Sequence, residues 1–148
     1  MTPNWVARIL ESEWLWLVAR VVITFMYWYA GIGFLVDFQT AQATMGMSGI
    51  QPLWLIAALT IAVQLIGSGL IIADRAVWFG AGMLAVFTLL TIPLVHHFWT
   101  MEGAERIQNM LESEEHITVV GGLIGISILS HVRRQWKTGI MRRTSPAL

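Results

Sequence analysis

Four apolar stretches, about 14–36, 53–73, 77–98 and 117–136, set the pattern of this chain. Arg20 is the sole charge in the first, and the second has none. The third is interrupted by Pro93 and His96-His97, and the fourth ends in Arg133-Arg134. A helix needs about 20 apolar residues to cross a bilayer core. Three stretches reach that length easily. The fourth is shorter in its apolar part, and its arginines must snorkel. The first reads as a span rather than a secretory leader. It is too long for a leader's apolar core, and Glu11 and Glu13 precede it where a leader is basic. A soluble helical core would need polar helix faces, and the second stretch has none.

Tryptophans mark the ends of these stretches. Trp14 and Trp16 open the first, Trp54 the second and Trp78 the third; Trp99 closes the third and Trp136 the fourth. Indoles favour the headgroup level. Basic residues then orient the chain. With four spans, one side holds Arg8, Arg20, Arg75, Arg133, Arg134, Lys137, Arg142 and Arg143, and the other holds Arg106 alone. The positive-inside rule places both termini in the cytoplasm. The connection 74–76 is then cytoplasmic, and 37–52 and 99–116 face out. The last is acidic and reads as amphipathic or helical.

Helix interfaces in lipid are built from small and hydrogen-bonding side chains. Each span carries such a stripe: Arg20, Thr24, Tyr27 and Gly31; Thr60, Gln64 and Gly67-Ser68; Ala81, Ala85, Thr88 and His96; Glu115, Thr118, Gly121-Gly122 and Gly125. Pro93 is expected to loosen the last turn of the third span. Adjacent histidines on one helix point about 100° apart, so His96 faces inward and His97 outward. The expected fold is all-α, an integral membrane antiparallel four-helix bundle over residues 1–136 with a basic cytoplasmic tail at 137–148.

Composition agrees. Of 148 residues, 56% are hydrophobic and 12% charged, and mean hydropathy is +0.66. A soluble domain carries about twice that share of charge. Nine Lys and Arg balance nine Asp and Glu, which argues against a nucleic-acid partner. There is no cysteine, which excludes thiol chemistry, iron–sulfur clusters and covalently attached haem on this chain.

Polar groups inside the spans are the candidate chemistry. Gln64, in the middle of the second span, suits an interhelical hydrogen bond or a contact to a bound quinone or lipid head. Arg20 suits snorkelling, pairing with Asp74, or contact with a substrate anion. His96 and Glu115 sit at the outer ends of their stripes, with Asp37, Glu102, Glu105 and His116 at similar depth and Trp99 beside them. A histidine among carboxylates can pair structurally, hydrogen-bond a quinone oxygen and shuttle its proton, or ligate a metal. No His-x-x-x-His or Glu-x-x-His spacing occurs, so no metal site is assigned.

In order along the chain these residues resemble the DoxX family of small four-span bacterial inner-membrane proteins. The carrying features are Arg20, Ala30-Gly31-Ile32-Gly33, the loop Met45-Gly46-Met47-Ser48-Gly49-Ile50-Gln51-Pro52, and Gly67-Ser68-Gly69 leading to Arg75. His96-His97-Phe98-Trp99 with the acidic 102–106 segment, and Gly121-Gly122, complete them. The resemblance covers about 15–130. This chain has Phe34 where members commonly carry Lys, Gln64 where they carry Glu, and Glu115-His116 where they carry Lys-Asn. A co-ordinated exchange would let Glu115 stand in as the buried carboxylate. The resemblance implies an inner-membrane accessory or quinone-interacting subunit in redox or oxidative-stress chemistry, without a redox centre of its own. His96, Gln64, Glu115, Trp99 and Arg20 are the candidate ligand-binding residues. The rivals are a non-catalytic chaperone or scaffold for a partner membrane protein and a small lipid-binding or transport protein. Lipid, a quinone, and a partner protein or second copy are the expected associates.

Overall fold

The computed structural model describes residues 2–139 and is all-helical over them. The helices are α1 (Asn4–Leu10), α2 (Glu13–Ile23), α3 (Phe25–Val36), α4 (Phe38–Met45), α5 (Leu53–Ile72), α6 (Val77–Leu94) and α7 (Gly103–Lys137), with 3-10 turns at Gly46–Ser48 and Phe98–Thr100. Three of these, α5, α6 (continued to Thr100) and α7, are long and apolar enough to cross a membrane. A fourth is added if α2 and α3 count as one span. Most of the expected basic tail, 140–148 with Arg142 and Arg143, lies outside the described residues.

The first stretch is not one straight helix. It breaks at Thr24, and α2 and α3 meet at 55°. The Thr24 hydroxyl donates back to the carbonyls of Arg20 (2.8 Å) and Val21 (3.3 Å), and the Trp28 indole also reaches Val21 O at 3.3 Å. Side chains thus satisfy backbone groups that the bend frees, which an apolar surrounding requires. The expected inward stripe survives the bend, because Arg20, Thr24, Tyr27 and Gly31 are all buried.

α5 is the central helix. Its stripe of Thr60, Gln64, Gly67 and Ser68 is buried, and it packs on α3, α4 and α6. Contact with α6 is backbone-close: a Cβ placed on Gly80 would lie 2.7 Å from the Gly67 carbonyl oxygen. Ala81, Leu84 and Thr88 follow on the buried face of α6, and Tyr27 and Thr88 join hydroxyls across the core. The main core comprises Trp16, Tyr27, Ile71, Val77, Ala81, Leu84, Leu123 and Ile126; a smaller one gathers Ala41, Ala57 and Ile61.

Four more expectations need correction. α6 ends at Leu94, one residue after Pro93, so His96 and His97 are not on the helix. The amides of Val95 and His96 both turn back to Thr91 O, and the 100° rule no longer applies to the two rings. The fourth stretch, expected at 117–136, is only the second half of α7. At about 1.5 Å per residue the whole helix runs about 52 Å, longer than the roughly 30 Å apolar core of a bilayer. Its acidic first half therefore extends beyond that core. The inward face of α7 also differs. Ser113, Leu123, Ile126 and Ser130 are buried, and Gly122 abuts Ile23. Glu115, Thr118, Gly121 and Gly125 face outward. Trp16 is likewise a core residue, 3% exposed, whereas Trp14, Trp54, Trp78, Trp99 and Trp136 are exposed as a belt requires.

Candidate functional site

Two polar clusters occupy opposite ends of α6. The first is built on the tight α5–α6 turn, where Asp74 (φ 55°) and Ala76 (φ 46°) both take left-handed backbone. Asp74 Oδ2 accepts from the Trp16 indole at 3.1 Å, and Oδ1 accepts from Ser130 at 3.1 Å. Arg134 donates to the Asp74 carbonyl. Arg20, 7% exposed, donates to the carbonyls of Ile71 (3.3 Å) and Ile72, closing the end of α5 where the helix dipole is negative. The guanidinium groups of Arg20 and Arg133 lie 5.2 and 5.1 Å from the Trp16 ring. Burial acts to raise the Asp74 pKa. The bonds from Trp16 and Ser130 and the charges of Arg20 and Arg134 outweigh it, and the net shift is downward. Arg20 and Asp74 thus meet at one turn, linked through Trp16 and the end of α5 rather than by a direct ion pair.

The second cluster forms where α6 unwinds and faces α7. His96 Nδ1 lies 2.9 Å from Glu112 Oε2 and 3.0 Å from Asn109 Oδ1. Both partners are acceptors, so Nδ1 carries the ring's hydrogen and Nε2 is left as an acceptor. Asn109 is fixed by its own amide, which donates to Glu105 O at 3.0 Å, and Gln108 donates to the other oxygen of Glu112 at 3.0 Å. Ser113 donates to His96 O at 3.4 Å. His116 donates from Nδ1 to Glu112 O at 2.6 Å, and its ring meets that of His96 edge-on at 4.9 Å between centroids. Phe98 and the 56% exposed Trp99 lie in the turn that follows, their rings 5.4 Å apart.

Of the residues singled out from sequence, His96 and His116 come together, whereas the Trp99 ring meets those of His97 and Phe98. The carboxylate paired with His96 is Glu112, not Glu115. Glu115 is exposed, so it is not a buried substitute for a carboxylate in the second span; it shares a shallow groove of about 480 Å³ with Glu112, Ile107 and Leu111. Gln64 is 6% exposed, about 16 Å along α5 from its first residue, with no partner for Oε1; Ser68 Oγ one turn on is also unpartnered. Arg20 belongs to the opposite cluster. Asp37 caps α4, taking the Thr40 amide at 3.0 Å and its hydroxyl at 2.7 Å, and these bonds lower its pKa. Glu102 precedes α7 and Glu105 lies in its first turn, both exposed. Asn109, Glu112 and Ser113 were missed. The spacing Asn109, Glu112-Ser113, His116 repeats at three and four residues, a helix-face signal hidden by treating 99–116 as a connection. No group of three His, Cys, Asp or Glu side chains able to hold a metal occurs among the described residues.

The fold and both clusters are those of a polytopic helical membrane protein. The family model of DoxX matches residues 15–97, more than half of the chain, and the protein belongs to the DoxX family. The match runs from α2 to His97, so Asn109, Glu112 and His116 on α7 lie beyond it. No curated protein and no solved structure matches the chain.

Proposed function

We propose that this DoxX-family protein is a four-span subunit of a bacterial inner membrane, with both termini cytoplasmic, that serves quinone-linked redox or oxidative-stress chemistry. The His96–Glu112–Asn109 arrangement carries the reading. Two acceptors hold the His96 ring by Nδ1 and leave Nε2 without a bonded partner among the described residues. Nε2 can accept the proton of a quinol hydroxyl, and Glu112 at Nδ1 stabilises the imidazolium so formed. In the other direction the imidazolium donates from Nε2 to a quinone oxygen. The electrons travel to or from a partner's redox centre, since a chain without cysteine holds no cluster or thiol couple. Phe98 and Trp99, which follow His96-His97 in the next turn, supply apolar surface for a ring on the same segment as that proton-transfer group.

Quinone content of the protein purified in mild detergent tests this. The expected result is a stoichiometric quinone that is lost in His96→Ala and retained in Gln64→Leu, because Gln64 is not part of the cluster. No quinone in the wild type, or equal retention in both variants, refutes it. The second reading, a scaffold for a partner membrane protein, is favoured by a different observation. The Gly121-x-x-x-Gly125 pair faces outward, with no heavy atom within 4 Å of a Cβ at either position, and such pairs let another helix approach closely. An empty bundle that co-purifies one membrane partner, lost in Gly121→Leu, supports it.

A further inference from the structure

A groove of about 410 Å³ opens between α6 and α7 at the Asp74 end, lined by Val77 and Trp78 from α6 and Ser127, Ile128, His131 and Arg134 from α7. A second space of about 230 Å³ continues it towards mid-bundle, sharing Trp78, Ser127 and Ile128 and floored by Ala81, Gly82 and Ala85. From Arg134 back to Leu123 the groove follows eleven residues of α7, about 16 Å. That is about half the apolar thickness of a bilayer, the depth of one leaflet.

Its charge changes along its length. The deep part is apolar, with small residues on α6 that leave room for a chain. At the mouth stands Arg134, which donates to the Asp74 carbonyl and pairs with no carboxylate among the described residues. Glu13 is taken by Arg133 at 3.0 Å and Lys137 at 3.1 Å, and the Asp74 carboxylate is taken by Trp16 and Ser130. Arg75 sits in the same turn as Asp74. Gln135 donates to His131 Nε2 at 2.9 Å, which leaves the ring's N–H on Nδ1. The 72% exposed Trp78 lies on the rim, as an interfacial indole does.

We propose that this groove is a binding site for an anionic glycerophospholipid, one acyl chain lying over Gly82 and the phosphate meeting Arg134. Basic pockets between spanning helices at a membrane face recognise acidic headgroups. A partner helix would leave Arg134 facing apolar surface, and a zwitterionic lipid would gain less from the cationic mouth. The site is remote from the His96 cluster and stands without the quinone reading.

The test uses the delipidated full-length protein in mild detergent, titrated with phosphatidylglycerol, phosphatidylcholine or inorganic phosphate, with bound lipid counted by native mass spectrometry. Phosphatidylglycerol is expected to bind about fivefold or more tightly than phosphatidylcholine, and Arg134→Gln to remove about that factor, the weight of one basic residue at a membrane surface. Gly82→Leu places a side chain in the groove from a position where a Cβ meets no heavy atom within 4 Å. It is expected to lower binding of both lipids while the thermal midpoint of the lipid-free protein stays near wild type, so it decides the matter even where Arg134→Gln fails to fold. Equal affinity for the two lipids overturns the proposal, as does binding untouched by Gly82→Leu. So does competition by inorganic phosphate as effective as that of phosphatidylglycerol, or a co-purifying protein cross-linked at Ile128→Cys.

Discussion

At the Asp74 end, the carboxylate, the nearby indole and the last carbonyls of α5 all find partners: α2 and α7 converge on Asp74 in the α5–α6 turn, and Arg20 closes the end of α5. At the His96 end, α6 has come undone, His96 Nε2 and His97 Nδ1 have no bonded partner among the described residues, and one helix, α7, supplies most of the contacts. Both ends use a basic side chain beside a carboxylate. The difference lies in what is left over. The bonded carboxylate, indole and carbonyls make the first a structural clasp, because removing one of those partners strands another, although the buried Arg133 Nε there has no bonded partner among the described residues. Spare hydrogen-bonding capacity makes the second suited to chemistry.

Five perturbations probe that contrast. Arg20→Met is expected to have the largest effect. It strands the Ile72 carbonyl, removes one of two donors to Ile71 O and takes a cation from Asp74, at a cost of about 3 kcal/mol, read as a large fall in thermal midpoint in detergent. His96→Ala at the other end is expected to leave that midpoint within about 1 kcal/mol of wild type; equal losses at the two ends would erase the distinction. Gly80→Ala should follow, costing about 1–3 kcal/mol, because its Cβ meets a backbone oxygen at 2.7 Å that cannot turn aside. An unchanged midpoint would show that α5 and α6 are not so closely packed.

Acid should also act on the clasp. The folded Asp74 pKa is lowered, below the ordinary value of about 3.9. Its stabilisation is therefore fully present above about pH 4 and lost as pH falls through the folded value. The midpoint is expected to drop over that acid range, less steeply in Asp74→Asn, whose midpoint is already lower at neutral pH. A variant as acid-sensitive as wild type would assign the loss elsewhere, Asp37 and Glu13 being the other carboxylates whose pKa is lowered. The smallest expected effect is a gain. Ala76 holds φ at 46°, where a side chain is strained, so Ala76→Gly should stabilise by up to about 1 kcal/mol. A fall in midpoint would mean that chain entropy outweighs that strain.

The legible parts were those set by composition and local period. The stripes of α2–α3 and α5 could be read because a buried face in lipid needs small or hydrogen-bonding residues at helical spacing, and Gly31, Thr60, Gln64 and Gly67 supply them. The α7 stripe was misread by one face. Glu115, Thr118, Gly121 and Gly125 form as regular a row as Ser113, Leu123, Ile126 and Ser130, and no local rule says which row meets α6. Trp16 looked like its neighbour Trp14, yet one indole is buried beneath two guanidinium groups and the other is 72% exposed.

By itself, then, the sequence determined an all-helical membrane chain. The length and apolarity of its helices follow from the cost of bare backbone in lipid, and its lack of thiols follows from the absence of cysteine. Only the tertiary structure decided which polar residues are partners. Asn109 and Glu112 reach His96 because Pro93 ends α6 early and α7 begins at Gly103, running past the unwound segment. Arg20 and Asp74 share a clasp because the Asp74–Ala76 turn folds α6 back on α5 and Ser130 arrives from α7. Those meetings join residues 13 to 58 positions apart, and sequence spacing does not encode contacts across helices.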